Sequence, residues 1–374
     1  MDVIFFGGYD PAYPRNAVLR RGLELNDVRV SECRVLPGRR FWLRYPALLR
    51  RWLGRPKTQS SSPTFLFVPE FAQKDVSLAR LLARLTSCRV VFDPLASRYE
   101  TKILDWRRKP KGSPSAWWNR AIDRWAFRFS DFLIADTQAH KDYYCREFGI
   151  DPLKIAVLPV GFDDRVFSKA LRNVRPANQA ARGSFTVLFF GSFLPLHGVD
   201  DVIEAARLVF ELDRSVSFRF IGSGQTLGFA RTRAAEYKLT NVDFEGWLSQ
   251  TELAETVART ADICLGLFGR TEKAERVIPH KVFQAMALGK PVITARTPAI
   301  EEFFMDREDI LLCRNEDPRS LAEAILELKR DAALRERIAQ KGHDMVWEKY
   351  RPAALGADLV DILEKTANRN PGAL

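Results

Sequence analysis

The sequence predicts an α/β protein with two parallel sheets, each covered by helices. The chain has 374 residues, more than one hydrophobic core usually supports, and 46% of them are hydrophobic, which is enough for two packed cores. Short apolar runs alternate with amphipathic segments along the chain, as in βαβ units. A polar, irregular stretch at 168–184 interrupts this pattern and indicates a linker between two copies of it.

Ten apolar runs are the predicted strands, and amphipathic stretches such as VDDVIEAARLVFEL are predicted helices between them. In chain order the runs are DVIFF, TFLFV, RVVFD, DFLIAD, KIAVLPV, FTVLFFG, VSFRFIG, VDFEG, ADICLGLF and KPVITA. A further amphipathic helix follows Pro352 and is expected to pack back on the first domain. The predicted division is a first domain at 1–167, a linker at 168–184, a second domain at 185–345 and the C-terminal helix at 346–374.

The cysteines and the N-terminus favour a cytoplasmic protein. Five cysteines lie far apart without a CxxC pair, and an odd number leaves at least one unpaired, which favours a reducing compartment. The first residues carry an acid where a signal peptide has a base, and nowhere do 18 apolar residues follow one another. We therefore expect neither a signal peptide nor a membrane-spanning helix.

Two glycine turns in the second half are candidate phosphate sites. Gly191 and Gly198 lie between a predicted strand and a predicted helix, whose N-terminus offers free N–H groups and the positive end of its dipole to an anion. A similar turn contains Gly222 and Gly224. Plain backbone geometry explains such glycines about as well as ligand binding does, so both interpretations stay open.

Several motifs in order resemble the family 4 glycosyltransferases of the GT-B fold. The donor half is similar through FFGSFLPLHGVDDVIEAA, FIGSGQ, VDFEGWLSQTELAETVARTADICLGLFG and ERVIPHKVFQAMALGKPVIT, and the acceptor half through FFGGYDPAYPRN, FDPLASRYE, DFLIADTQAHKDYY and KIAVLPVGFDDRVF. The resemblance implies two facing Rossmann-like domains with a central cleft. It also implies a nucleotide sugar as co-substrate in the second domain, a glycan or lipid-linked acceptor in the first, and no other cofactor.

The charged stretch before the helix KVFQAMAL fits this resemblance. A departing nucleoside diphosphate must be neutralised by a metal or by cationic side chains. The chain contains no Asp-x-Asp, the metal-binding signature of the other large glycosyltransferase fold, so we expect no metal site. Arg276 and Lys281 are the predicted catalytic cations, with Lys273 and His280 beside them. The donor contacts that the resemblance implies are Gly191, Ser192, His197, Gly198, Gly222, Lys273, Ile278, Pro279 and Gln284.

The chain departs from the family pattern at three places. Ser192 and His197 stand where many members have an arginine and a lysine. The family's two glutamates, eight positions apart, fall on Arg276 and Gln284, and an amide can still donate and accept hydrogen bonds but without charge. Asp93 takes the place of a histidine that often follows the fourth strand.

Asp93 is the predicted catalytic residue on the acceptor side, where it would orient the acceptor or share its proton. In a retaining transfer the leaving diphosphate can itself take the hydroxyl proton, so a strong protein base is less necessary. Asp93 precedes Pro94 and could instead cap a turn. The other acceptor-side residues that the resemblance implies are Gly7, Gly8, Tyr9, Arg15 and Tyr99. A nucleotide-sugar epimerase and a non-catalytic binding protein on the same fold are the alternatives.

The net charge of +11 raises the question of an anionic partner. The segment 39–57 has seven bases, no acid and interleaved apolar residues, and a second such stretch begins at Trp106. Both suit an anionic membrane surface, with a helical face formed by Leu48, Leu49, Trp52 and Leu53. The alternatives are an ordinary core helix with snorkelling arginines and a single-stranded nucleic acid site. Because no nucleic-acid module is recognisable, we expect no nucleic acid partner.

Overall fold

The computed structural model describes residues 1–38, 41–55, 63–173 and 185–367. The chain forms two compact units, one of Met1–Val160 together with the chain from Arg351 onward, the other of Gly161–Tyr350. Each unit contains one six-stranded sheet whose neighbouring strands all run parallel. The predicted α/β class with two parallel sheets is confirmed.

The first unit has the strand order β2-β1-β3-β4-β5-β6. Its elements in chain order are β1 (Asp2–Gly8), α1 (Pro14–Leu25), β2 (Arg29–Val35), α2 (Phe41–Leu53), β3 (Thr64–Val68), α3 (Val76–Thr86), β4 (Arg89–Phe92), α4 (Pro114–Phe129), β5 (Phe132–Ala135), α5 (Gln138–Phe148) and β6 (Ile155–Val157). Two short 3₁₀ turns (Gln73–Asp75 and Pro152–Lys154) and a π-helical turn (Glu100–Asp105) connect them.

The second unit has the strand order β12-β11-β10-β7-β8-β9. Its elements are α6 (Asp164–Asn173), β7 (Phe185–Ser192), α7 (Val199–Leu212), β8 (Val216–Ser223), α8 (Leu227–Glu236), β9 (Val242–Glu245), α9 (Gln250–Thr260), β10 (Ile263–Leu265), α10 (His280–Ala287), β11 (Val292–Ala295), α11 (Pro298–Glu301), β12 (Leu311–Cys313), α12 (Pro318–Arg330) and α13 (Ala332–Lys349). Counted from its own first strand, the order is 3-2-1-4-5-6, that of dinucleotide-binding folds.

Each sheet buries an apolar core against its helices. In the first unit the side chains of Phe6, Leu66 and Phe92 lie in a core that also includes residues of α3, α4 and α5. In the second unit Val187 and Ile263 lie in a core shared with α7 and α12. These strands are buried on both faces, which is why they read as continuous apolar runs in the sequence.

The last helix, α14 (Pro352–Ala367), packs closely on α1. A Cβ atom at Gly356 would lie 2.1 Å from the carbonyl oxygen of Gly22, so only glycine permits this approach. Asn26 Nδ2 also donates to the carbonyl oxygen of Ala353, at 2.9 Å. The return of the C-terminal helix to the first unit, expected from the sequence, is observed.

The unit boundaries differ from the predicted ones. Residues 164–173, divided in the prediction between the first domain and the linker, form the single helix α6 of the second unit, which packs on α9. Asn173 Nδ2 donates to Glu255 Oε1 of α9, at 2.9 Å. The rest of the predicted linker, 174–184, lies outside the described residues. At the other end, α13 extends to Lys349, so the chain rejoins the first unit at Arg351 and not at residue 346.

The predicted membrane face of the segment 39–57 is wrong. Leu48 and Trp52 are buried in the core of the first unit, and the Trp52 ring packs edge-on against Phe6. Only Leu53 of the four predicted residues is exposed. The apolar stripe therefore points at the sheet because α2 covers β1 and β2, as an ordinary amphipathic helix does. Residues 39–40 and 56–57 lie outside the described part.

Candidate functional site

Both sheets contain a point at which the strand order reverses. In the first unit it lies between β1 and β3, and in the second between β7 and β10. Ligands of open parallel sheets bind beside the carboxyl ends of the strands at such a point, because the loops there diverge to opposite faces and leave a crevice. The residues that follow these four strands are therefore the first candidates for ligand contact.

Glycines shape the loop after β7 through close backbone contacts. A Cβ atom at Gly198 would lie 2.3 Å from the carbonyl carbon and oxygen of Phe268, in the loop after β10. A Cβ atom at Gly222 would lie 2.0 Å from the carbonyl oxygen of Gly191. Gly191 itself has a φ of +124°, which side chains rarely adopt. Backbone packing thus explains these predicted donor residues, and it brings the loops of β7 and β10 together at the reversal point.

His197 is a buried, neutral imidazole at the end of the 3₁₀ turn Pro195–His197. Burial lowers its pKa well below the usual value, and the positive charge of Lys281 adds to the shift. Its Nδ1 is hydrogen-bonded to the carbonyl oxygen of Ser192, which can only accept, so Nδ1 carries the proton. The second ring nitrogen, Nε2, is then an acceptor. His197 can receive a hydrogen bond from a hydroxyl group but cannot donate one to a phosphate.

Lys281 lies in the first turn of α10, and its amine is buried against an aromatic ring. Nζ lies 3.8 Å from the centre of the Phe189 ring and has no hydrogen-bond partner in the part of the chain that the structure describes. Burial lowers its pKa well below the ordinary value. An anion bound beside Nζ would favour the charged form of this amine and raise its pKa again.

The remaining predicted donor residues lie on or just before α10. Arg276 Nη2 pairs with Glu272 Oε2 at 2.5 Å, and the positive charge of Lys273 contributes to lowering the pKa of His197. The side chain of Gln284 lies one turn into α10 and is 9% exposed. Two further predicted residues are Ile278, which is buried, and Pro279, which is half-buried and is the N-cap residue of α10. The structure thus brings Lys273, His197 and Lys281 together.

In the first unit, Asp75 organises the turn after β1. Its Oδ2 accepts a hydrogen bond from the backbone N–H of Gly8, at 2.8 Å, and its Oδ1 pairs with Arg44 Nη2 at 2.9 Å. A Cβ atom at Gly8 would lie 2.3 Å from Arg44 Nη1, so the glycine leaves room for the guanidinium. Gly7 has a φ of +132° and faces the same carboxylate. These two predicted acceptor-side glycines therefore position Arg44.

Arg15 and Asp93 form a fully buried ion pair. Arg15 Nε lies 2.5 Å from Asp93 Oδ2, and the other two nitrogens of Arg15 donate to the carbonyl oxygens of Leu158 and Pro159. Arg15 is 0% and Asp93 1% exposed. Every nitrogen of Arg15 is engaged, so its role is to join α1 to the segments after β4 and β6 and not to contact an acceptor. Burial raises the pKa of Asp93, and the charge of Arg15 opposes that shift.

The two predicted tyrosines have different surroundings. Tyr9 is buried and its hydroxyl donates to Glu32 Oε1, at 3.2 Å. Tyr99 is half-buried, and its backbone N–H donates to Asp123 Oδ2 at 2.8 Å. Tyr9 lines the pocket described below, whereas Tyr99 belongs to the turn beside it.

Glu70 is a candidate that sequence reasoning missed. It follows β3 directly at the reversal point, and its Oε1 accepts from Asn16 Nδ2 at 2.8 Å. Its Oε2 is buried without a hydrogen-bond partner among the described residues. Burial raises the pKa of Glu70 to about 8, and the negative charge of Asp93 adds to the shift. The available signal was an acid two residues after an apolar strand.

A second missed group is a buried triad centred on His140. His140 Nδ1 lies 2.6 Å from Asp136 Oδ1, and Nε2 lies 3.0 Å from Glu100 Oε2. Burial alone would lower the pKa of His140, but the two carboxylates outweigh it and raise the pKa to about 9. The triad joins β5, α5 and the π-helical turn, so we interpret it as structural.

Glu70 opens into a pocket of about 460 Å³ at the reversal point of the first sheet. Its walls come from the turns after β1 and β3, from α2 and from the segment after β4. The lining residues are Gly8, Tyr9, Asp10, Tyr13, Pro37, Gly38, Arg44, Glu70, Phe71, Lys74, Arg98 and Lys102. Asp93 is not among them.

An exposed aromatic stripe runs along α4. Trp117, Trp118, Trp125 and Phe129 are 69%, 45%, 51% and 44% exposed, and Trp118 and Trp125 contact each other edge to face. Exposed arginines interleave with them on the same helix: Arg120, Arg124 and Arg128. The buried Asp123 is the helix's sole acid. This is the second basic and aromatic stretch that the sequence indicated.

Searches for two further kinds of site found none within the described ranges. No three His, Cys, Asp or Glu side chains there are grouped so that they could hold a metal ion. Nor is any helix of residues 1–38, 41–55, 63–173 and 185–367 both long and apolar enough to cross a membrane.

Comparison with known families accounts for nearly the whole chain. The family model described as Glycosyl transferases group 1 matches residues 172–345, and the Glycosyl transferase 4-like domain matches residues 1–161. The chain belongs to this glycosyltransferase family. The two matched regions fall on the second and the first unit respectively.

Individual relatives are distant. An uncharacterized glycosyltransferase of Methanocaldococcus jannaschii is 28% identical over 166 residues, 43% of this chain and 44% of the relative. The D-inositol 3-phosphate glycosyltransferase of Thermomonospora curvata is 26% identical over 234 residues, 56% of this chain and 51% of the relative. The chain thus spans about half the length of these curated relatives.

The fold has solved counterparts. The crystal structure of Anabaena HepE in complex with UDP and glucose superposes with a TM-score of 0.73, at 15% identity, over 98% of this chain and 100% of the other. At this identity the likeness concerns the fold alone, which is GT-B.

Proposed function

We propose that this protein transfers a sugar from a nucleoside-diphosphate sugar to an acceptor hydroxyl, with the donor bound by the second unit. The family match supports transfer, and the Anabaena protein of the same fold was crystallised with UDP and glucose. The observation that carries the proposal is the buried amine of Lys281 beside His197, in the first turn of α10 and close to the reversal point of the sheet. Such an amine is stabilised by an anion.

In this proposal the diphosphate of the donor lies beside Lys281. Lys273 and Arg276 add positive charge, and the N-terminus of α10 adds the positive end of a helix dipole. His197 Nε2 accepts a hydrogen bond from a sugar hydroxyl, since its tautomer does not suit a phosphate. Gln284 hydrogen-bonds the donor ribose as a neutral counterpart of a carboxylate.

We further propose that the reaction retains configuration and that its chemical step needs no metal. The bond between the anomeric carbon and the phosphate oxygen breaks, and a bond to the acceptor oxygen forms on the same face. The acceptor proton passes to the departing phosphate oxygen. The side-chain cations stabilise the charge on that diphosphate, which is the work that a metal ion does elsewhere.

On the acceptor side, Glu70 is the group we assign to the pocket. It is a hydrogen-bonding carboxyl at the reversal point, whereas Asp93 is enclosed with Arg15. With a pKa of about 8, Glu70 is mostly protonated at neutral pH and donates a hydrogen bond to the acceptor. Asp93 keeps its predicted influence on the acceptor only indirectly, through its charge on Glu70.

Binding and transfer assays test this proposal. Calorimetry with UDP and other nucleoside diphosphates should show binding that Arg276→Ala weakens by about 1.5 to 3 kcal/mol, the value of a charged hydrogen bond. Arg207→Ala is the matched control, because Arg207 also pairs with a glutamate four positions away but on α7. Epimerisation without an acceptor would identify an epimerase, and binding without any turnover a binding protein. Wild-type affinity of Arg276→Ala would remove that residue from the donor site.

We also propose that the protein works at the cytoplasmic face of an anionic membrane, which it contacts through the aromatic stripe of α4. Tryptophan suits the headgroup region, and each nearby arginine contributes about 1 kcal/mol that salt screens. The five cysteines, all free thiols in the structure, support a reducing compartment.

Flotation with anionic vesicles tests the membrane contact. Binding should be appreciable at low salt, fall as salt rises, and be weakened by the double change of Trp118 and Trp125 to Ala. Trp247→Ala is the control, since Trp247 is a tryptophan of the second unit that is even more exposed than Trp118 and Trp125. Equal flotation of all three proteins would contradict the assignment to α4.

A further inference from the structure

The pocket of the first unit has more positive charge than recognition of a neutral hydroxyl requires. Four basic side chains line it, each from a different segment: Arg44 from α2, Lys74 from the 3₁₀ turn after β3, Arg98 from the segment after β4, and Lys102 from the π-helical turn. Arg44 is compensated by Asp75. Neither Arg98 nor Lys102 forms an ion pair with any residue in the described ranges.

The nearby carboxyl groups do not cancel this charge. Glu70 is mostly uncharged at neutral pH because burial raises its pKa to about 8. Asp123 attracts both Arg98 and Lys102 and accepts hydrogen bonds from the backbone N–H groups of residues 98 and 99 and from Ser97 Oγ, but this one carboxylate can offset only one positive charge. Asp10 is the remaining acid of the lining. The side chains around the pocket therefore have more positive than negative charge.

The bases are close enough to disfavour one another. Burial, together with the positive charges of Arg98 and Lys74, lowers the pKa of Lys102 to about 8. Burial also lowers the pKa of Lys74, and Arg98 again contributes. Arg98 Nε is buried without an acceptor in the part of the protein described. Like charges held together in a partly buried wall destabilise the free protein, and a bound anion removes that repulsion.

We propose that this pocket binds a phosphate group carried by the acceptor, so that the protein glycosylates a phosphorylated molecule. This inference rests on the proposed transfer reaction. A phosphate monoester or diphosphate offers several negatively charged oxygens to donors that converge from different sides, and guanidinium groups match that geometry. A volume of about 460 Å³ accommodates the phosphate with one adjoining sugar or the first part of a lipid chain. Both a soluble sugar phosphate and a lipid-linked phosphate share this chemistry.

Titration with inorganic pyrophosphate tests the site directly. Saturating UDP is present, so that a donor site in the second unit is already occupied. Wild type should bind pyrophosphate, and Lys102→Gln and Arg98→Gln should each weaken that binding about tenfold or more, the effect of losing one charged hydrogen bond. Lys111→Gln is the control, because Lys111 is an exposed lysine of the same unit outside the pocket lining.

Folding of the variants is checked by thermal unfolding. Lys102→Gln removes a repelled charge and should not lower the melting temperature, so this variant remains informative even if Arg98→Gln folds poorly. Unchanged pyrophosphate affinity in folded Lys102→Gln, or no binding by wild type, would overturn the inference.

Two further measurements separate the phosphate site from the proposed transfer reaction and a lipid-linked acceptor from a soluble one. UDP affinity measured alone should be the same in wild type and Lys102→Gln. If wild type binds no nucleoside diphosphate while pyrophosphate binding still depends on Lys102, the proposed transfer reaction fails and the phosphate site stands. Competition by a short alkyl diphosphate supports a lipid-linked acceptor, and competition by a hexose phosphate supports a soluble one.

Discussion

Replacing Lys281 by methionine should stabilise the free protein and weaken nucleotide binding at the same time. The Lys281 side chain is 5% exposed, and its Nζ has no hydrogen-bond partner within the described residues. Burying such a polar group costs about 1 to 3 kcal/mol. Methionine has a similar length and a thioether that packs well against an aromatic ring such as Phe189. We therefore expect the free energy of unfolding to rise by about 1 to 3 kcal/mol.

Thermal unfolding and calorimetry measure the two effects. A unit of this size gains about 2 to 4 °C per kcal/mol, so the melting temperature should rise by about 2 to 12 °C. UDP affinity should fall about 10- to 150-fold, the equivalent of one charged hydrogen bond. Lys290→Met is the matched control: Lys290 Nζ donates to the carbonyl oxygen of Ala261 at 2.8 Å, so this change should destabilise the protein and leave UDP affinity unchanged.

The stability gained by Lys281→Met should depend on pH in one direction. Because folding lowers the pKa of Lys281, the unfolded chain binds more protons below the ordinary value of 10.5. The stability of wild type therefore contains a contribution that rises with pH towards 10.5. The advantage of Lys281→Met should be largest at low pH and shrink as pH rises. A melting temperature that stays the same or falls, together with unchanged UDP affinity, would refute both the unpaired amine and its role.

Three further predictions concern packing, the buried ion pair and the pocket. Gly356→Ala should destabilise the protein by at least about 2 kcal/mol in denaturant unfolding, since its Cβ would lie 2.1 Å from a carbonyl oxygen of α1. The control is Gly228→Ala on α8, which should stabilise the protein slightly because no atom lies within 4 Å of the added Cβ. Asp93→Asn leaves a buried arginine without its counter-charge and should cost about 3 to 5 kcal/mol of stability with little change in UDP affinity; a stable variant with low turnover would instead support catalysis. Pyrophosphate affinity of wild type should fall as pH rises through about 8, because Glu70 gains a negative charge and Lys102 loses a positive one. Glu70→Gln should reduce that fall. Identical pH profiles of the two proteins would show that the charge of Glu70 does not affect phosphate binding in the pocket.

The central strands of both sheets could be predicted from the sequence, but one edge strand of each sheet could not. All ten predicted strands are observed, and most of them are buried on both faces and read as apolar runs, whereas β6 and β9 are only partly buried. The two strands that were missed, Arg29–Val35 and Leu311–Cys313, are edge strands of the two sheets. The first is largely exposed and rich in charge, and the second has three residues. Neither forms a long apolar run.

The donor-side residues were predicted through resemblance and stay predictions, whereas their protonation states and contacts depend on tertiary structure. Nothing local in the sequence indicates that Nδ1 of His197 bonds to a carbonyl oxygen or that the amine of Lys281 lies over the Phe189 ring. The first depends on how the turn Pro195–His197 folds back on the end of β7, and the second depends on the contact between α10 and β7. His197 therefore stays a predicted donor contact, which we propose is made to a sugar hydroxyl, while Lys281 remains the proposed diphosphate contact.

Asp93 and Glu70 show why the acceptor side was harder to predict. Each is an acid just beyond the carboxyl end of a parallel strand, so the sequence offers the same argument for both. Asp93 follows β4, whose neighbours β3 and β5 continue the sheet in one direction, and it is enclosed with Arg15. Glu70 follows β3, which pairs with β1 at the point where the strand order reverses, and there the loops diverge and leave a pocket. Of these two acids only Glu70 lines the pocket at the reversal point, and the strand order that places it there depends on long-range pairing that no local pattern encodes.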